Sequence, residues 1–191
     1  MSSNNGLIDA LTLRQIFVQR YSKGEARRLL KHLRVLSRQL KNTLESDYGK
    51  VRAVRLAQRI AQITSTVLDE YGDDMIEGLK AFGEDEAAFA RQAILASTAA
   101  EAVSAGSLRQ IQASITKAPM KLISGKKTQV LTIEQAAKKF SKSRSKEISQ
   151  LIRDGSVLGK TTPQIVREVE EIVGGKVRTQ AESLVRTTTN Q

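Results

Sequence analysis

The sequence predicts an all-α protein, an elongated assembly of several helices that ends in a helical hairpin. Aromatic residues make up only 4% of the 191 residues and tryptophan is absent, so the helices would pack through aliphatic stripes. The chain has two prolines, Pro119 and Pro163, and proline is the residue that most strongly interrupts a helix. Long spans can therefore be helical. The sequence leaves open whether the helices form a compact bundle or an extended rod.

Charge is distributed in blocks along the chain, whose formal net charge is +11. Residues 14–60 hold thirteen Lys and Arg against three acids, and residues 69–101 hold nine acids against two bases. Residues 109–160 hold twelve bases against three acids, and residues 161–191 hold four of each. Such blocks suit a polyanionic partner, or they let copies of the chain dock head to tail.

Composition also excludes several classes of protein. There is no cysteine, so disulfides and thiolate metal sites are excluded and the redox compartment stays open. No apolar run approaches the roughly 18 residues of a membrane helix, and the polar start MSSNNG does not have the pattern of a signal peptide. We predict no membrane segment, no metal and no cofactor.

The N-terminal region, residues 1–105, is predicted to be helical with basic and then acidic faces. A short helix is expected over residues 11–20, ending at SKGE, where Ser22 and Glu25 have the spacing of a capping box. A second helix would follow to about Glu45. Its apolar stripe steps by three or four residues and consists of Ala26, Leu29, Leu30, Leu33, Leu36, Leu40 and Leu44.

Two further helices are expected in this region. One covers about residues 50–70 and carries an apolar side that begins with Val51 and Val54. Another helical segment starts at Asp73 and passes Gly83, where acids in the first turn suit the helix dipole. The Ala/Ser-rich stretch that follows, residues 93–105, permits close contact between helices.

The C-terminal region, residues 106–191, is predicted to be basic and helical. A short helix would run to about Lys117, and a small β-hairpin is expected near residues 120–131. Thr132 and Gln135 have capping-box spacing and would open a helix to about Arg153. The middle of that helix, KKFSKSRSKE, is the most basic run in the chain.

The stretch DGSVLGKTTP, residues 154–163, resembles a phosphate-binding loop at first sight. A P-loop has four residues between its first glycine and the Gly-Lys pair and follows a β-strand. Here there are three, and the preceding KEISQLIR has helical spacing. We predict a turn between two helices, with Thr162 as N-cap and Pro163 in the first turn. The second of these helices would stop at Gly174-Gly175, and a final helix would begin near Val177.

The strongest candidate site is a basic stripe on the second helix. At 100° per residue its five members fall within about 80° of arc and extend about 20 Å, and residues 26–44 contain no acid. This pattern favours contact with nucleic acid. The members of the stripe are Arg27, Lys31, Arg34, Arg38 and Lys41. Similar basic faces are formed by Arg52, Arg55 and Arg59 and by Lys138, Lys142 and Lys146.

Catalysis has little support in the sequence, and we predict no enzyme. The only histidine, His32, has no evident catalytic partner. A run of acids could collect a divalent cation, but it lacks the glycine and the ligand spacing of an EF-hand. A solvated or partner-facing patch is the favoured interpretation of those acids, which are Asp69, Glu70, Asp73, Asp74 and Glu77.

The C-terminal quarter resembles the phage head morphogenesis family, the minor head proteins related to Mu protein F. The resemblance is carried by ISQLIRDGSVLGKTTPQIVREVEEIVGG and by AESLVRTTTNQ. Thr188 stands where the family usually has glutamate, and the chain stops at Gln191 where the family domain continues, so we expect a longer protein. The matching positions are Gly155 and Gly159 in the turn, Thr162 as the cap, Ile165 and Val169 on the next helix, and Arg186 and Thr187 at the end.

The resemblance implies a structural protein of the virion interior that is present in the host cytoplasm during assembly. It would dock on the portal protein or the capsid interior, in multiple copies around a ring, contact packaged double-stranded DNA, and could be ejected with it. Two alternatives stay open. One is a free nucleic-acid-binding helical protein, and the other is an enzyme whose active half belongs to a longer chain.

Overall fold

The structure, a computed structural model, describes residues 2–97, 110, 113, 117, 119–124 and 127–189. Nearly all of them are helical, which confirms the predicted all-α class. The helices are α1 (Ser2–Asp47), α2 (Ala53–Ser97), α3 (Ile133–Val157), α4 (Thr162–Glu171) and α5 (Arg178–Thr189), and a π-helical segment, Ile172–Val177, joins α4 to α5.

A short antiparallel hairpin lies where one was predicted. Its strands are β1 (Met120–Ser124) and β2 (Lys127–Leu131), in a register that pairs Met120 with Leu131 and Ser124 with Lys127. The predicted short helix before it and most of the Ala/Ser-rich stretch lie outside the described residues. So does the proposed boundary at residue 105, which stays a prediction.

Helix α1 runs without a break through SKGE, so the helix end and capping box predicted there are wrong. Tyr21 is half-buried and Glu25 is 2% exposed, and together they extend the buried leucine stripe across Gly24. The Glu25 carboxylate accepts a hydrogen bond from Arg28 Nη1 at 2.8 Å. Packing of this stripe outweighs the cost of about 0.5–1 kcal/mol that glycine brings to a helix interior.

Helix α2 is also continuous, whereas the sequence predicted a boundary between residues 70 and 73. Leu68, Tyr71, Met75 and Leu79 are all buried and carry one apolar stripe through the expected break. Gly72 lies at a close approach of α2 and α3, because a Cβ added there would lie 3.3 Å from the Cβ of Ala137. The glycine therefore serves packing and does not end the helix.

The helices form a four-rod bundle with alternating directions. The fourth rod consists of α4, the π-helical segment and α5 together. The neighbouring pairs are α1 with α2, α2 with α3, α3 with α4, and α1 with α4 and α5. One hydrophobic core runs through all four rods. Its largest fully buried side chains are Tyr71, Leu29, Leu36, Leu40, Leu44, Leu56, Ile60, Leu68, Met75, Ile148 and Ile152.

Among the described residues, the bundle thins at one end to a two-helix arm, which consists of residues 11–20 of α1 and 80–92 of α2. Helix α3 starts at Ile133 and meets α2 near Gly72, so it does not run along the arm. The rings of Phe17 and Phe82 stack there with centroids 5.7 Å apart. The predicted apolar side of the first helix is largely exposed in the arm, and Leu13 is 65% accessible.

The predicted stop at Gly174-Gly175 is also wrong, since the chain stays helical through the π-helical segment. Val169, Val173, Val177 and Ala181 are buried at repeated steps of four residues. Steps of four exceed the α-helical turn of about 3.6 residues, so in an α-helix such a stripe would rotate away from the core. The wider π-helical turn keeps the four side chains facing the core.

Candidate nucleic-acid interface

The α1 basic stripe, Arg27, Lys31, Arg34, Arg38 and Lys41, lies on the solvent side of α1. All five side chains are exposed, on the side of the helix largely opposite the buried leucines. The only acid within 4.0 Å of a stripe cation among the described residues is Glu45, which is 4.0 Å from Lys41. The stripe therefore presents an exposed row of positive charge about 20 Å long.

The antiparallel pairing of α1 and α2 places the acidic run of α2 at the height of this stripe. His32 Nε2 lies 2.9 Å from Asp74 Oδ2, and Arg59 pairs with Asp47 near the turn between the helices. These two contacts fix the register of the pair. The acids of residues 69–77 offset part of the field of the stripe, but they lie on the neighbouring helix and leave the face of α1 uncovered.

The contact between His32 and Asp74 was not foreseen from the sequence, where His32 had no evident partner. The two residues are 42 positions apart, and only the pairing of α1 with α2 brings them together. The His32 ring also lies 5.7 Å from the ring of Tyr71. The arrangement is a hydrogen-bonded pair at the edge of the core.

Arg52, Arg55 and Arg59 form a second basic group at the start of α2. All three are exposed, and they lie between the level of Lys41 and the end of the bundle that holds the α1–α2 turn. The α1 stripe and this group follow one another along the bundle axis. Together they span about 30 Å at 1.5 Å per helical residue.

Lys138, Lys142 and Lys146 are exposed on α3, and the structure does not bring them together with the α1 stripe. Helix α3 packs on α2, diagonally across the bundle from α1. Lys138 and Lys142 line a groove of about 1400 Å³ between α2 and α3, whose walls also carry Asp69 and Asp73. These lysines therefore share their surface with carboxylates.

Two serines of the run KKFSKSRSKE, Ser141 and Ser145, belong to a buried stripe of α3 that sequence reasoning missed. Ala137, Ser141, Ser145 and Ser149 step by four along α3 and are all buried. Ser149 Oγ donates a hydrogen bond to the Ala57 carbonyl of α2 at 3.0 Å, which requires close contact of the two helices. The repeat of small residues at i, i+4 could have predicted this buried stripe, but serine is polar and is therefore expected on the surface.

The turn between α3 and α4 confirms the predicted helix–turn–helix interpretation of DGSVLGKTTP. The Lys160 N–H donates to the Gly155 carbonyl at 2.9 Å, and the Gly159 N–H donates to the Ser156 carbonyl at 3.3 Å. Gly159 has φ +66, a left-handed conformation that glycine adopts without strain. This is the Schellman motif that ends many helices.

Two predicted details of this turn are corrected. The N-cap of α4 is Thr161, one residue before the predicted Thr162, and its N–H donates to Gln164 Oε1 at 2.8 Å. Gly155 is buried in the last turn of α3 instead of lying in the connection. A Cβ at Gly155 would lie 2.0 Å from Ile165 Cδ1, so this glycine allows α3 and α4 to cross closely.

Lys160, at the position that would be the phosphate-binding lysine of a P-loop, is engaged within the chain. Its Nζ lies 2.6 Å from one Glu168 oxygen and 2.9 Å from the other, and its carbonyl accepts a hydrogen bond from Tyr48 Oη at 2.8 Å. The lysine thus ties the α3–α4 turn to the turn between α1 and α2. Arg186 and Thr187 lie in α5, and their side chains are outside the described set.

A polar cluster, buried or half-buried apart from the exposed Arg28, continues the leucine stripe where the bundle meets the arm. Its members are Tyr21, Glu25, Arg28 and Tyr71. Burial raises the pKa of the Glu25 carboxyl above its usual value, and Arg28 counteracts only part of this effect. Burial likewise raises the pKa of both tyrosine hydroxyls. Among the described residues, Glu25 Oε2 and both tyrosine hydroxyls have no hydrogen-bond partner.

Within the described part of the chain, no group of three or more His, Asp and Glu residues could hold a metal ion. No helix in the same part is long and apolar enough to cross a membrane. Comparisons with protein-family models, curated proteins and solved structures found no match to this chain. The resemblance to the head morphogenesis family therefore depends on the quoted C-terminal motif alone.

Proposed function

We propose that this chain is a structural protein of the phage virion interior that contacts packaged double-stranded DNA through the α1 basic stripe. The observation that carries the proposal is the stripe itself, five exposed cations on one acid-free face of a long helix. Such a face has no role in the core of the bundle. Its length and charge fit a polyanion.

The chemistry of the stripe suits the DNA backbone better than the bases. Duplex DNA carries one negative charge per about 1.7 Å of axis, so a stripe of about 20 Å faces more phosphates than it has cations. No aromatic residue lies among residues 26–44, so this face has no platform for stacking on bases. We expect binding without sequence preference, in which each neutralised phosphate steepens the log–log salt dependence by about 0.9.

Docking on the portal or the capsid interior is the second part of the proposal. It is supported by the motif at the α3–α4 turn and by the elongated shape of α1 and α2, each of which is about 70 Å long at 1.5 Å per residue. The runner-up function is a free nucleic-acid-binding protein, for which the same stripe would suffice. The two functions differ in whether a protein ring is bound when DNA is absent.

The DNA contact is tested by measuring duplex affinity against salt for two matched variants. One replaces Lys31, Arg34 and Arg38 with glutamine, and its control replaces Lys138, Lys142 and Lys146 with glutamine. We expect the first to lower the salt slope by about 3, since three phosphate contacts are lost, and the second to change it little. Equal slopes in both variants and the wild type would remove the stripe from the interface.

The portal contact is tested by co-sedimentation with the portal ring of the same phage, at moderate salt and without DNA. Saturable binding at a fixed number of copies per ring is the result expected of a virion protein. If the folded chain shows DNA binding but no ring binding, the free nucleic-acid-binding function replaces the first proposal.

A further inference from the structure

The outer face of α2 carries two charge blocks of opposite sign. Because α2 is continuous, the two blocks lie on one helix face, which the predicted break would have separated. Five of the six charged residues belong to α2, and Arg52 directly precedes its first residue. If the helix is continued to Arg52 at 100° per residue, all six fall within about 60° of arc, and all six are exposed. The basic block is Arg52, Arg55 and Arg59, and the acidic block is Glu70, Asp73 and Glu77.

The two blocks mirror each other about a point between Thr64 and Ser65. Arg55 and Asp73 are nearly equidistant from this point and lie about 27 Å apart along the axis. Residues on one helix face at equal distances from a point meet when two copies of the helix lie antiparallel. The pairs would be Arg59 with Glu70, Arg55 with Asp73, and Arg52 with Glu77, each formed twice.

The charges of this face form few direct ion pairs within the chain, although Asp73 and Glu77 line the α2–α3 groove together with Lys138 and Lys142. Among the described residues, neither the three acids nor Arg52 and Arg55 take part in an ion pair, and only Arg59 does so, with Asp47. The centre of the face is formed by Gln62 and Thr66, which are exposed and polar. Because these two residues are uncharged, two α2 helices could approach each other at the centre of the face without repulsion between like charges.

We propose that the outer face of α2 is a self-complementary docking surface for a second copy of this chain, with the two α2 helices antiparallel about a two-fold axis. The surface excludes the α1 stripe but includes Arg52, Arg55 and Arg59, the second basic group of the candidate nucleic-acid interface. A two-fold contact of this kind is closed, so it produces dimers and does not produce larger assemblies. Exposed ion pairs are individually weak, so the dimer should be weak and sensitive to salt.

The test is sedimentation velocity at rising protein concentration. At about 0.1 M salt the screening length is about 10 Å, which preserves contact pairs while damping repulsion between two basic chains, and at about 1 M salt it is about 3 Å. We expect the mean mass to rise from 21.0 kDa toward that of a dimer at the lower salt and to stay monomeric at the higher. A monomer at both salt concentrations would overturn the proposal.

Two charge-reversal variants locate the contact. Arg52→Glu/Arg55→Glu has two acidic blocks and Asp73→Lys/Glu77→Lys has two basic blocks, so neither should self-associate, whereas an equimolar mixture should form the dimer. Circular dichroism confirms that both fold. Dimers of either variant alone, or a monomeric mixture, would overturn the assignment.

The α1 stripe variant serves as the control that separates the two proposals. Lys31→Gln/Arg34→Gln/Arg38→Gln should dimerise like the wild type while losing DNA affinity. Loss of the dimer in this variant would show that the acids of α2 dock on α1 of another copy, and would overturn the α2 pairing.

Discussion

Helix α1 buries a stripe of leucines, whereas α3 buries, beside Ile148 and Ile152, a stripe of small residues with the opposite chemistry. The leucine stripe of α1 consists of large side chains, such as Leu36 and Leu40, that are fully buried. The α3 stripe consists of Ala137 and three serines that lie close to the backbone of α2. Leucines stabilise by the apolar area they remove from water, whereas small residues stabilise by letting two backbones approach. We therefore expect the fold to lose stability when a leucine of α1 is replaced by a smaller residue, and when a small residue at a close helix contact is replaced by a larger one.

Truncation of the leucine stripe should have the largest effect. Leu36→Ala removes a fully buried side chain and should lower the free energy of unfolding by about 2–5 kcal/mol, because transfer and cavity costs add. The measurement is urea denaturation followed by circular dichroism. The matched control is Leu13→Ala in the arm, where the side chain is 65% exposed and the change should stay within about 0.5 kcal/mol.

Enlargement at the α3–α4 crossing should come next. Gly155→Ala would place a methyl 2.0 Å from Ile165 Cδ1, and overpacking of this kind costs about 1–3 kcal/mol. Gly174→Ala is the matched control, since no described residue has a side-chain atom within 4 Å of its added Cβ, and it should stabilise the helix. Adding Ile165→Val to Gly155→Ala removes the clashing Cδ1. If the double variant recovers no stability, the close crossing is not the cause.

Two buried serines provide a finer test within the small stripe. Ser149→Ala loses the hydrogen bond to the Ala57 carbonyl and should cost about 1 kcal/mol. Ser145→Ala should be neutral or slightly stabilising, because Ser145 Oγ is buried without a partner in the described structure. Thermal unfolding of the pair under one condition gives the difference. Equal losses would mean that the hydrogen bond to α2 contributes nothing specific.

The smallest effect is expected at Glu25, the acid within the leucine stripe. Its folded pKa is raised above the ordinary 4.5, so the folded state binds the proton more readily than the unfolded state. Stability contributed by this group should therefore increase as pH falls through the folded pKa toward 4.5 and change no further below that value. Glu25→Gln should remove this slope and raise stability at neutral pH.

The control for Glu25 is Glu45→Gln, an exposed acid of the same helix. Between about pH 4 and pH 8, the range in which carboxylate-linked effects on stability appear, the stability profile of this variant should follow that of the wild type. A Glu25→Gln profile parallel to the wild type would show that the buried carboxyl is not linked to folding.

The sequence allowed prediction of those features that depend on residues close together in the chain. The leucine stripe, the all-helical class and the turn at Gly159 all follow from local patterns. The uninterrupted α1 and α2 do not, because local signals at SKGE and around Gly72 favour helix ends, and only packing of Tyr21, Tyr71 and Glu25 overrides them. The serine stripe of α3 was missed because its burial depends on a partner helix 76 or more residues away.

The candidate nucleic-acid interface likewise contains some features that the sequence predicts and others that depend on how the helices pack. The exposed cations of the α1 stripe were foreseen, since they require only the helical period. That Lys138 and Lys142 share a groove with Asp69 and Asp73 could not be foreseen, because it depends on which helix α3 packs against. The same holds for the contact of His32 with Asp74.

The two-helix arm has a consequence for the order in which the molecule opens. Among the described residues of the arm, 11–20 and 80–92, no side chain is fully buried, and the ring contacts there are those of Phe82 with Phe17 and Tyr21. Local opening there exposes far less apolar surface than opening of the four-rod section. Backbone amides of the arm should therefore exchange with deuterium through small local openings. Those near Leu36 and Ile148 should exchange only when the whole bundle unfolds.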